Sequence, residues 1–274
     1  MERVFILIYN YMKINTNEYE KIIELSKTLK QKDIAALYNV KQATISLILI
    51  KNGIKNDRYR LNESKLYFDI NYFDIIDNEK KAYWLGFIAA DGCLKNNKVK
   101  ITSKDIEIII KFKNDLKSEH KISTSIIFDK RTKKQYIGHN ISITNNLFTK
   151  KVEKYINTDK SDCFVLPKIN DIYYPYFIAG MFDGDGTISS CGKHKNLIRI
   201  GLISTYECLL QIQDILLNIG IKKTILHQKT GNNTWVMDLY KDSILFLNFI
   251  YQENISDMYL SRKYEKYIKY KNVK

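Results

Sequence analysis

The chain has 274 residues, of which 45% are hydrophobic and 27% charged, and this composition favours a folded protein and excludes wholesale disorder. Forty-four Lys and Arg residues against thirty Asp and Glu residues give a formal net charge of +14. Such an excess favours a polyanionic partner, because each cation that neutralises a phosphate releases a condensed counterion. A solvated basic surface in a Lys-rich protein is the alternative interpretation.

The four cysteines and four histidines are scattered, without the spacing of a zinc site, and the cysteines are expected to be reduced thiols. The apolar run 4–9 is too short for a membrane span or a usual signal peptide. We therefore expect an intracellular protein, in the cytoplasm or nucleoid or in an organelle matrix, and neither a secreted nor a membrane protein.

The N-terminal segment, residues 1–60, has the apolar spacing of short helices. Helical runs 19–30, 31–40 and 41–49 follow one another, and Asn39 suits a left-handed turn between the last two. This order resembles a helix-turn-helix, and an ordinary helical hairpin is the alternative. In the helix-turn-helix interpretation the last helix presents polar groups to base edges. The candidates are Gln42, Thr44 and Ser46. A linker is expected over residues 61–77.

Two decapeptides in the rest of the chain are alike. Tyr83–Gly92 and Phe177–Gly186 are both apolar, have a Gly in the middle and end in Asp–Gly. The same order of β-rich and helix-like runs follows each of them, so each half is expected to fold as αββαββα. We assign residues 78–160 to the first half and residues 161–274 to the second, which ends in a basic helix.

The individual elements follow from the apolar periodicity. After the first decapeptide the sequence predicts strand 98–102, helix 106–116, strands 123–128 and 135–144, and helix 147–156. After the second it predicts strand 197–204, helix 207–219, strands 223–228 and 234–240, helix 243–251 and the tail helix 259–270. The expected class is α+β, with two pseudo-symmetric halves and a small N-terminal helical domain.

The aspartate that ends each decapeptide is the candidate for chemistry. Gly86 and Gly180 lack side chains, so two such helices can pack closely side by side and bring Asp91 and Asp185 together. Two carboxylates at helix C-termini are electrostatically unfavourable, which is explained if divalent cations bind there. Carbonyl oxygens complete such a site, and the candidates are those of Ala90 and Gly184. One copy alone would be an ordinary glycine-capped helix end.

The two decapeptides resemble the paired motifs of LAGLIDADG homing endonucleases, and the resemblance covers about residues 78–270. It implies that the motif helices form the interface between two αββαββα halves and that Asp91 and Asp185 bind catalytic Mg²⁺ or Mn²⁺. It also implies that each half lays an antiparallel sheet along the DNA major groove, that both strands are cut and that one chain acts as a monomer. The first motif departs from the family pattern at Ala89, where the second keeps Asp183.

The resemblance further implies a basic residue at the end of the last strand of each half. Lys241 matches that place in the second half and is a candidate catalytic residue; a surface lysine is the alternative. The first-half position is Asn145, which is not basic. The two half-sites are therefore expected to differ chemically, with one strand cut faster.

Polar and basic residues near the predicted sheets are candidates for DNA contact, because Lys and Arg suit phosphates and guanine, whereas Asn and Gln suit adenine. In the first half they are Lys95, Asn97, Lys98, Lys100, Lys130, Arg131, Lys133, Gln135 and His139. In the second half they are Lys193, Lys195, Arg199, His227, Gln228, Lys229 and Asn233. On the tail helix, Arg262, Lys263, Lys266 and Lys269 are phosphate-binding candidates, with a solvated helix face as the alternative.

Three other functions remain open at this point. A DNA-binding regulator can reuse such a scaffold without cutting, although loss of a motif acid would then be expected. An intron RNA maturase shares the fold, so intron RNA is a further possible partner. An intein-borne enzyme is disfavoured, because the chain lacks a terminal Cys and a His–Asn ending.

Overall fold

The structure is a computed structural model that describes residues 14–54, 66–129, 133–156, 164–191, 197–229, 234–252 and 257–272. The chain divides into two compact units, residues 1–62 and residues 63–274. No single helix among the described residues has the length and apolar character to cross a membrane; one bent helix pair, Gln31–Leu37 with Gln42–Lys51, meets those criteria only jointly.

In the described part of the smaller unit, a 3-10 turn at Thr16–Glu18 is followed by the short α-helices α1 (Tyr19–Leu25), α2 (Gln31–Leu37) and α3 (Gln42–Lys51). Its core is aliphatic and includes Ile22, Ile34, Ile45 and Ile48, all fully buried. Asn39 adopts a left-handed conformation with φ of 49° between α2 and α3, which the short side chain of Asn tolerates. The turn is therefore built as the sequence predicts, whereas α1 ends five residues before the predicted residue 30.

The larger unit contains the two halves. The first consists of α4 (Glu79–Asp91), β1 (Gly92–Leu94), β2 (Lys98–Ser103), α5 (Ile106–Asp115), β3 (Ser123–Asp129), β4 (Lys134–Thr144) and α6 (Asn146–Glu153). The second consists of α7 (Tyr174–Asp185), β5 (Thr187–Cys191), β6 (Leu197–Ser204), α8 (Tyr206–Asn218), β7 (Ile225–Gln228), β8 (Trp235–Leu239), α9 (Ser243–Ile250) and the terminal α10 (Ser261–Lys271).

The halves have the same topology. Each has one antiparallel four-stranded sheet, with order β1-β2-β4-β3 in the first half and β5-β6-β8-β7 in the second. The predicted α+β class with two αββαββα halves is confirmed. The sequence did not delimit β1 and β5, because each follows its motif helix directly at the Asp–Gly step and is only three or five residues long.

One face of each sheet is packed against helices and the other is open, as period-two alternation requires. In the first half Val99, Ile101, Ile141 and Ile143 are buried on the helix-covered face. In the second half Ile200, Leu202, Met237 and Leu239 are buried in the same way. A single hydrophobic core runs through both halves.

Candidate active site and nucleic-acid interface

The motif helices α4 and α7 cross at two glycines. A Cβ atom placed on Gly86 would lie 1.9 Å from the carbonyl oxygen of Phe177, and one on Gly180 would lie 2.0 Å from that of Tyr83. Atoms cannot approach so closely, so only glycine permits this separation of the two backbones. The contact is reciprocal, because each glycine faces the first residue of the other decapeptide. The structure thus brings the two predicted packing glycines together.

The close approach continues to the C-terminal ends of both helices. A Cβ atom on Gly184 would lie 2.5 Å from the Cβ of Ala90 and 3.5 Å from the carboxyl carbon of Asp91. Asp185 is the next residue, so the two motif carboxylates stand on adjoining helix ends. The backbone N–H of Gly92 donates to the carbonyl of Ile88, and that of Gly186 donates to the carbonyl of Phe182 over 2.7 Å, which closes both helices at the same place.

The chemistry of this donor set fits a hard divalent cation. Among the residues described, no three or more His, Cys, Asp or Glu side chains gather as a metal site of their own. Two carboxylates and the last carbonyls of two helices, including those of Ala90 and Gly184, supply only oxygen donors. They also lie at the negative ends of two helix dipoles. Oxygen donors of this kind suit hard divalent cations such as Mg²⁺ or Mn²⁺.

Asp183, two residues before the second motif acid, joins three parts of the larger unit. Its carboxylate is buried and accepts hydrogen bonds from the Tyr83 hydroxyl (2.7 Å), the Tyr251 hydroxyl (2.5 Å) and the Leu260 backbone N–H (2.8 Å). Burial raises the pKa of Asp183, while these donors and Lys263 oppose the rise. Ala89 holds the equivalent place in α4 and carries no such acceptor. Asp183 therefore has a structural role, which agrees with its position two residues before the predicted metal ligand Asp185.

The buried position of Lys263 contradicts its predicted role as a phosphate ligand. Its exposed fraction is 3%, and its ammonium donates to the carbonyl of Phe182 and, over 2.8 Å, to that of Asp183. These are carbonyls of the last turn of α7, where a helix has unsatisfied acceptors and attracts cations. A group buried in this way cannot contact a DNA backbone. The sequence signal was available, because Lys263 shares the apolar stripe of α10 with Leu260 and Tyr267.

The predicted catalytic Lys241 is exposed in the turn between β8 and α9. Its first-half counterpart, Asn145, has a structural function: its side chain accepts from the Phe148 backbone N–H over 2.9 Å and caps the N-terminus of α6. This capping accounts for Asn at that place. The catalytic role of Lys241 stays a prediction.

The open face of the first sheet is polar and basic. Lys98 and Lys100 lie on it, paired across β2 and β4 with Thr144 and Ser142. Further along β4, the Tyr136 ring lies 3.9 Å from the Lys104 ammonium, a cation–π contact. Sequence reasoning missed Asn140 and Ser142 on this face. Their alternation with buried Ile141 and Ile143 was the signal that identifies them.

Two first-half candidates lie on the other face. Gln135 and His139 have the same parity along β4 as Ile141 and Ile143, but Gln135 is exposed and His139 half-buried, because the far end of this face is not covered by helices. His139 also contacts the Thr124 hydroxyl over 3.1 Å. They therefore lie on the opposite face of the sheet from Lys98 and Lys100, and their contact with DNA stays a prediction.

The open face of the second sheet is organised around an acid. Asp238 on β8 is 3% exposed and receives a two-point hydrogen bond from Arg199, with Nε to Oδ1 at 2.9 Å and Nη2 to Oδ2 at 2.6 Å. His227 approaches the same carboxylate, with Nδ1 3.6 Å from Oδ2. The carboxylate raises the pKa of Arg199. Sequence reasoning missed Asp238, although it alternates with buried Met237 and Leu239.

The remaining second-half candidates divide by position. Gln228 is exposed and pairs with Trp235, with the strand parity of Met237 and not that of Asp238, and its contact with DNA stays a prediction. Lys229 is exposed just beyond the end of β7. On α10, Arg262 is exposed and its Nε bonds the Asp105 carboxylate over 2.9 Å, while Lys266 and Lys269 are exposed.

The base-reading candidates of the N-terminal unit are mostly inaccessible. Thr44 is fully buried and Ser46 is 7% exposed, because both point into the helical core beside Ile45 and Ile48. Their predicted role as base readers is wrong. Gln42 is exposed at the first position of α3, and the exposed residues further along include Leu47 and Ile50.

Other candidates complete the set. Lys95 and Lys133 are exposed, and Asn97 and Lys133 have positive φ in the loops that precede β2 and β4. The remaining candidates lie outside the described residues: Lys130, Arg131, Lys193, Lys195 and Asn233.

Comparisons with known proteins give one family match and a set of similar solved structures. A family model described as a LAGLIDADG-like domain matches residues 173–269. No curated protein matches the sequence. Among solved structures, the homing endonuclease I-WcaI bound to its DNA recognition sequence is 13% identical with a TM-score of 0.49, over 74% of this chain and 96% of that one.

Two further structures are similar at the same level. The meganuclease I-SmaMI bound to uncleaveable DNA is 12% identical with a TM-score of 0.43, over 69% of this chain and 88% of that one. The N-terminal LAGLIDADG domain of WhiA is 16% identical with a TM-score of 0.43, over 68% of this chain and 91% of that one. The family match spans residues 173–269, which include the second decapeptide but not the first, and it agrees with the resemblance drawn from that second motif.

Proposed function

We propose that the chain is a site-specific endonuclease of the homing type that hydrolyses both strands of double-stranded DNA with Mg²⁺ or Mn²⁺. The observation that carries the proposal is the glycine-to-carbonyl crossing of α4 and α7, which places Asp91 and Asp185 on adjoining helix ends. A fold has no need for two acids at that place, since like charges at helix C-termini are unfavourable. Two such carboxylates are useful where a cation must be held beside a phosphodiester.

The proposed roles follow from the donors. Asp91 and Asp185 would hold the cation, with the carbonyl oxygens of Ala90 and Gly184 as further ligands. A bound metal would supply charge stabilisation for the phosphate and would lower the pKa of a bound water. Lys241, exposed at the end of β8, is proposed to assist in the second half, where its positive charge can stabilise the charge that develops on the phosphate.

The open sheet faces are the proposed DNA interface. Lys98, Lys100, Arg199 and His227 lie on these faces, and the net charge of +14 supports a polyanionic partner. The two halves lie in one chain and share one core, which supports action as a monomer. The exposed cations outside the sheets, including Lys95, Lys133, Lys229 and Arg262, are proposed to contact phosphates.

The test is cleavage of a randomised or genomic DNA library in Mg²⁺ by the full chain beside Asp91→Asn and Asp185→Asn. We expect double-strand breaks at one long site, lost in both variants because each removes a carboxylate from the cation. The Ala89→Ser variant is a matched control, since it alters the same helix without touching a motif acid.

Three outcomes would contradict the proposal. Specific binding of one DNA site without breaks in any divalent metal would favour a DNA-binding regulator. Specific binding of intron RNA without DNA cleavage would favour a maturase. Breaks that persist in both Asn variants would show that the chemistry lies elsewhere.

A further inference from the structure

The terminal helix α10 places a positive charge inside the larger unit, directly at the end of a motif helix. Lys263 reaches the carbonyls of Phe182 and Asp183, which belong to the last turn of α7 before Asp185. Its ammonium also lies 5.0 Å from the centre of the Phe182 ring. A lysine that is 3% exposed, with bonds to main-chain carbonyls, is held in one position and is not a solvated surface cation.

The motif acids act on this ammonium. Burial lowers the pKa of Lys263 to about 8, and the charge of Arg262 acts in the same direction, whereas the charges of Asp183, Asp91 and Asp185 oppose the shift. Asp185 follows Asp183, whose carbonyl binds Lys263, by two residues, and Asp91 stands on the adjoining helix end, so both motif carboxylates lie at the helix ends beside this ammonium. The neighbouring cation Arg262 has its own partner in Asp105 and is exposed, so it is screened by solvent.

We propose that Lys263 is a built-in counter-cation for the paired carboxylates Asp91 and Asp185, which offsets their repulsion when no metal is bound and thereby weakens the binding of divalent cations. This inference rests on the proposed metal site. Lys263 is a positioning residue, because it acts on the cation through the charge and placement of the acids. A fixed positive charge beside a site must oppose a second positive charge that enters it.

The alternative is that Lys263 only caps α7. A capping group stabilises the helix end and has no particular influence on a cation bound by the carboxylates. The two roles separate in a measurement of cation affinity, and stability alone would not distinguish them. Removal of a buried ammonium changes both desolvation and pairing, so its net effect on stability can have either sign.

The experiment is Mn²⁺ binding to the full chain without DNA, with the concentration of free Mn²⁺ read by electron paramagnetic resonance. Lys263→Met removes the charge, and Lys263→Arg keeps it. Lys269→Met, at an exposed position of the same helix, removes the same formal charge and is the matched control. Circular dichroism verifies that each variant is folded, and Lys263→Gln, which also removes the charge, takes the place of Lys263→Met should that variant be unfolded.

We expect Lys263→Met to bind Mn²⁺ at least about fivefold more tightly than wild type, from the Coulomb interaction of a divalent ion with one nearby charge. Lys263→Arg and Lys269→Met should stay within about twofold of wild type on the same scale. The gain should disappear when Asp185→Asn is added to Lys263→Met, because the cation then loses its ligand.

The inference would be overturned if the folded charge-removing variant bound Mn²⁺ no more tightly than wild type. It would also be overturned if Lys269→Met showed an equal gain. In both cases the proposed metal site itself would stand. Tighter binding by Lys263→Arg would overturn it as well, since that variant retains the charge. Absence of Mn²⁺ binding in every protein, wild type included, would instead overturn the metal assignment of Asp91 and Asp185 and this inference with it.

Discussion

The two halves of the larger unit share one topology and differ in where they place charge. In the second half, Asp183 on α7 joins Tyr83, Tyr251 and the backbone of Leu260 inside the core. In the first half, Ala89 takes the equivalent place and offers only a methyl group. The open faces differ too: Asp238 holds Arg199 on the second sheet, whereas Lys98 and Lys100 project from the first.

The two halves are thus symmetric at the backbone contacts between α4 and α7. They differ in side chains such as Asp183, which occurs in only one half. The glycine contacts at Gly86 and Gly180 are nearly equal, at 1.9 and 2.0 Å, because each helix imposes the same constraint on the other. The link through Asp183 needs only one copy, since a single acid already reaches a tyrosine of the opposite motif helix.

Asp183→Ala is predicted to cost the most stability, because it would remove the buried acceptor that only the second half contains. The hydroxyls of Tyr83 and Tyr251 and the N–H of Leu260 would lose their acceptor inside the core. Removal of one partner from a buried charged network costs about 3–5 kcal/mol. Urea denaturation should show a loss of this order in the free energy of unfolding. A loss below that of Tyr83→Phe, which removes one bond, would contradict the importance given to Asp183.

The symmetric part of the comparison is tested by Gly86→Ala and Gly180→Ala. Each added methyl group would collide with a backbone carbonyl of the other motif helix, and overpacking costs about 1–3 kcal/mol or more. We expect similar losses from both variants in urea denaturation. Gly138→Ala is the control, because its Cβ would meet only the flexible Ile127 side chain at close range. Clearly unequal losses would show that the crossing is less symmetric than the distances indicate.

The sequence was most informative where the pattern repeats. The two Asp–Gly decapeptides predicted α4 and α7, the pairing of their glycines and the αββαββα order, because backbone contact leaves few residue choices. The bounds of strands β1 and β5 were not predicted, because three to five residues directly after a helix show too little apolar periodicity. Their presence depends on pairing with β2 and β6, which is a tertiary effect.

Side-chain direction was the weaker part of the sequence prediction. Gln135 and His139 were chosen for residue type, yet strand parity places them on the opposite face of the sheet from Lys98 and Lys100. Thr44 and Ser46 were also chosen for residue type, and their positions on α3 direct both side chains into the core. Lys263 was assigned to phosphate because charged residues are rarely buried, and only the tertiary position of α10 against α7 provides carbonyl partners for its ammonium.

A smaller effect concerns DNA affinity, and it would sharpen the contrast between the open faces. Lys100→Ala removes one cation, so affinity should fall by about 1 kcal/mol and the slope of log affinity against log salt by about 1. Arg199→Ala should cost more, about 2 kcal/mol, because it also leaves Asp238 without its two-point partner near phosphates. Fluorescence anisotropy over a salt series measures both.

The double variant Arg199→Ala with Asp238→Ala is the control for this pair. Without the acid there is no uncompensated negative charge, so its affinity should recover toward that of Lys100→Ala. If the double variant binds as weakly as Arg199→Ala, Asp238 has no electrostatic influence on DNA and the two faces differ only in their number of cations.

A further predicted effect is a pH dependence confined to the second half. The pKa of Lys263 is about 8 in the folded chain, below its ordinary value of 10.5, because burial disfavours the ammonium. Between those values the unfolded chain keeps a proton that the folded chain has released, so the free energy of unfolding rises with pH. The slope from one such group is at most about 1.4 kcal/mol per pH unit.

Lys263→Met isolates this contribution, because other groups that titrate in the same range, including the buried tyrosines, are common to both proteins. Urea denaturation in EDTA from about pH 7.5 to about pH 9.5 should therefore show wild type gaining stability relative to the variant as pH rises. A constant difference across that range would mean that the ammonium is no less favoured inside the second half than in water. The carbonyls of α7 and the three nearby acids would then fully offset its desolvation, and the charge asymmetry between the halves would carry no cost in stability.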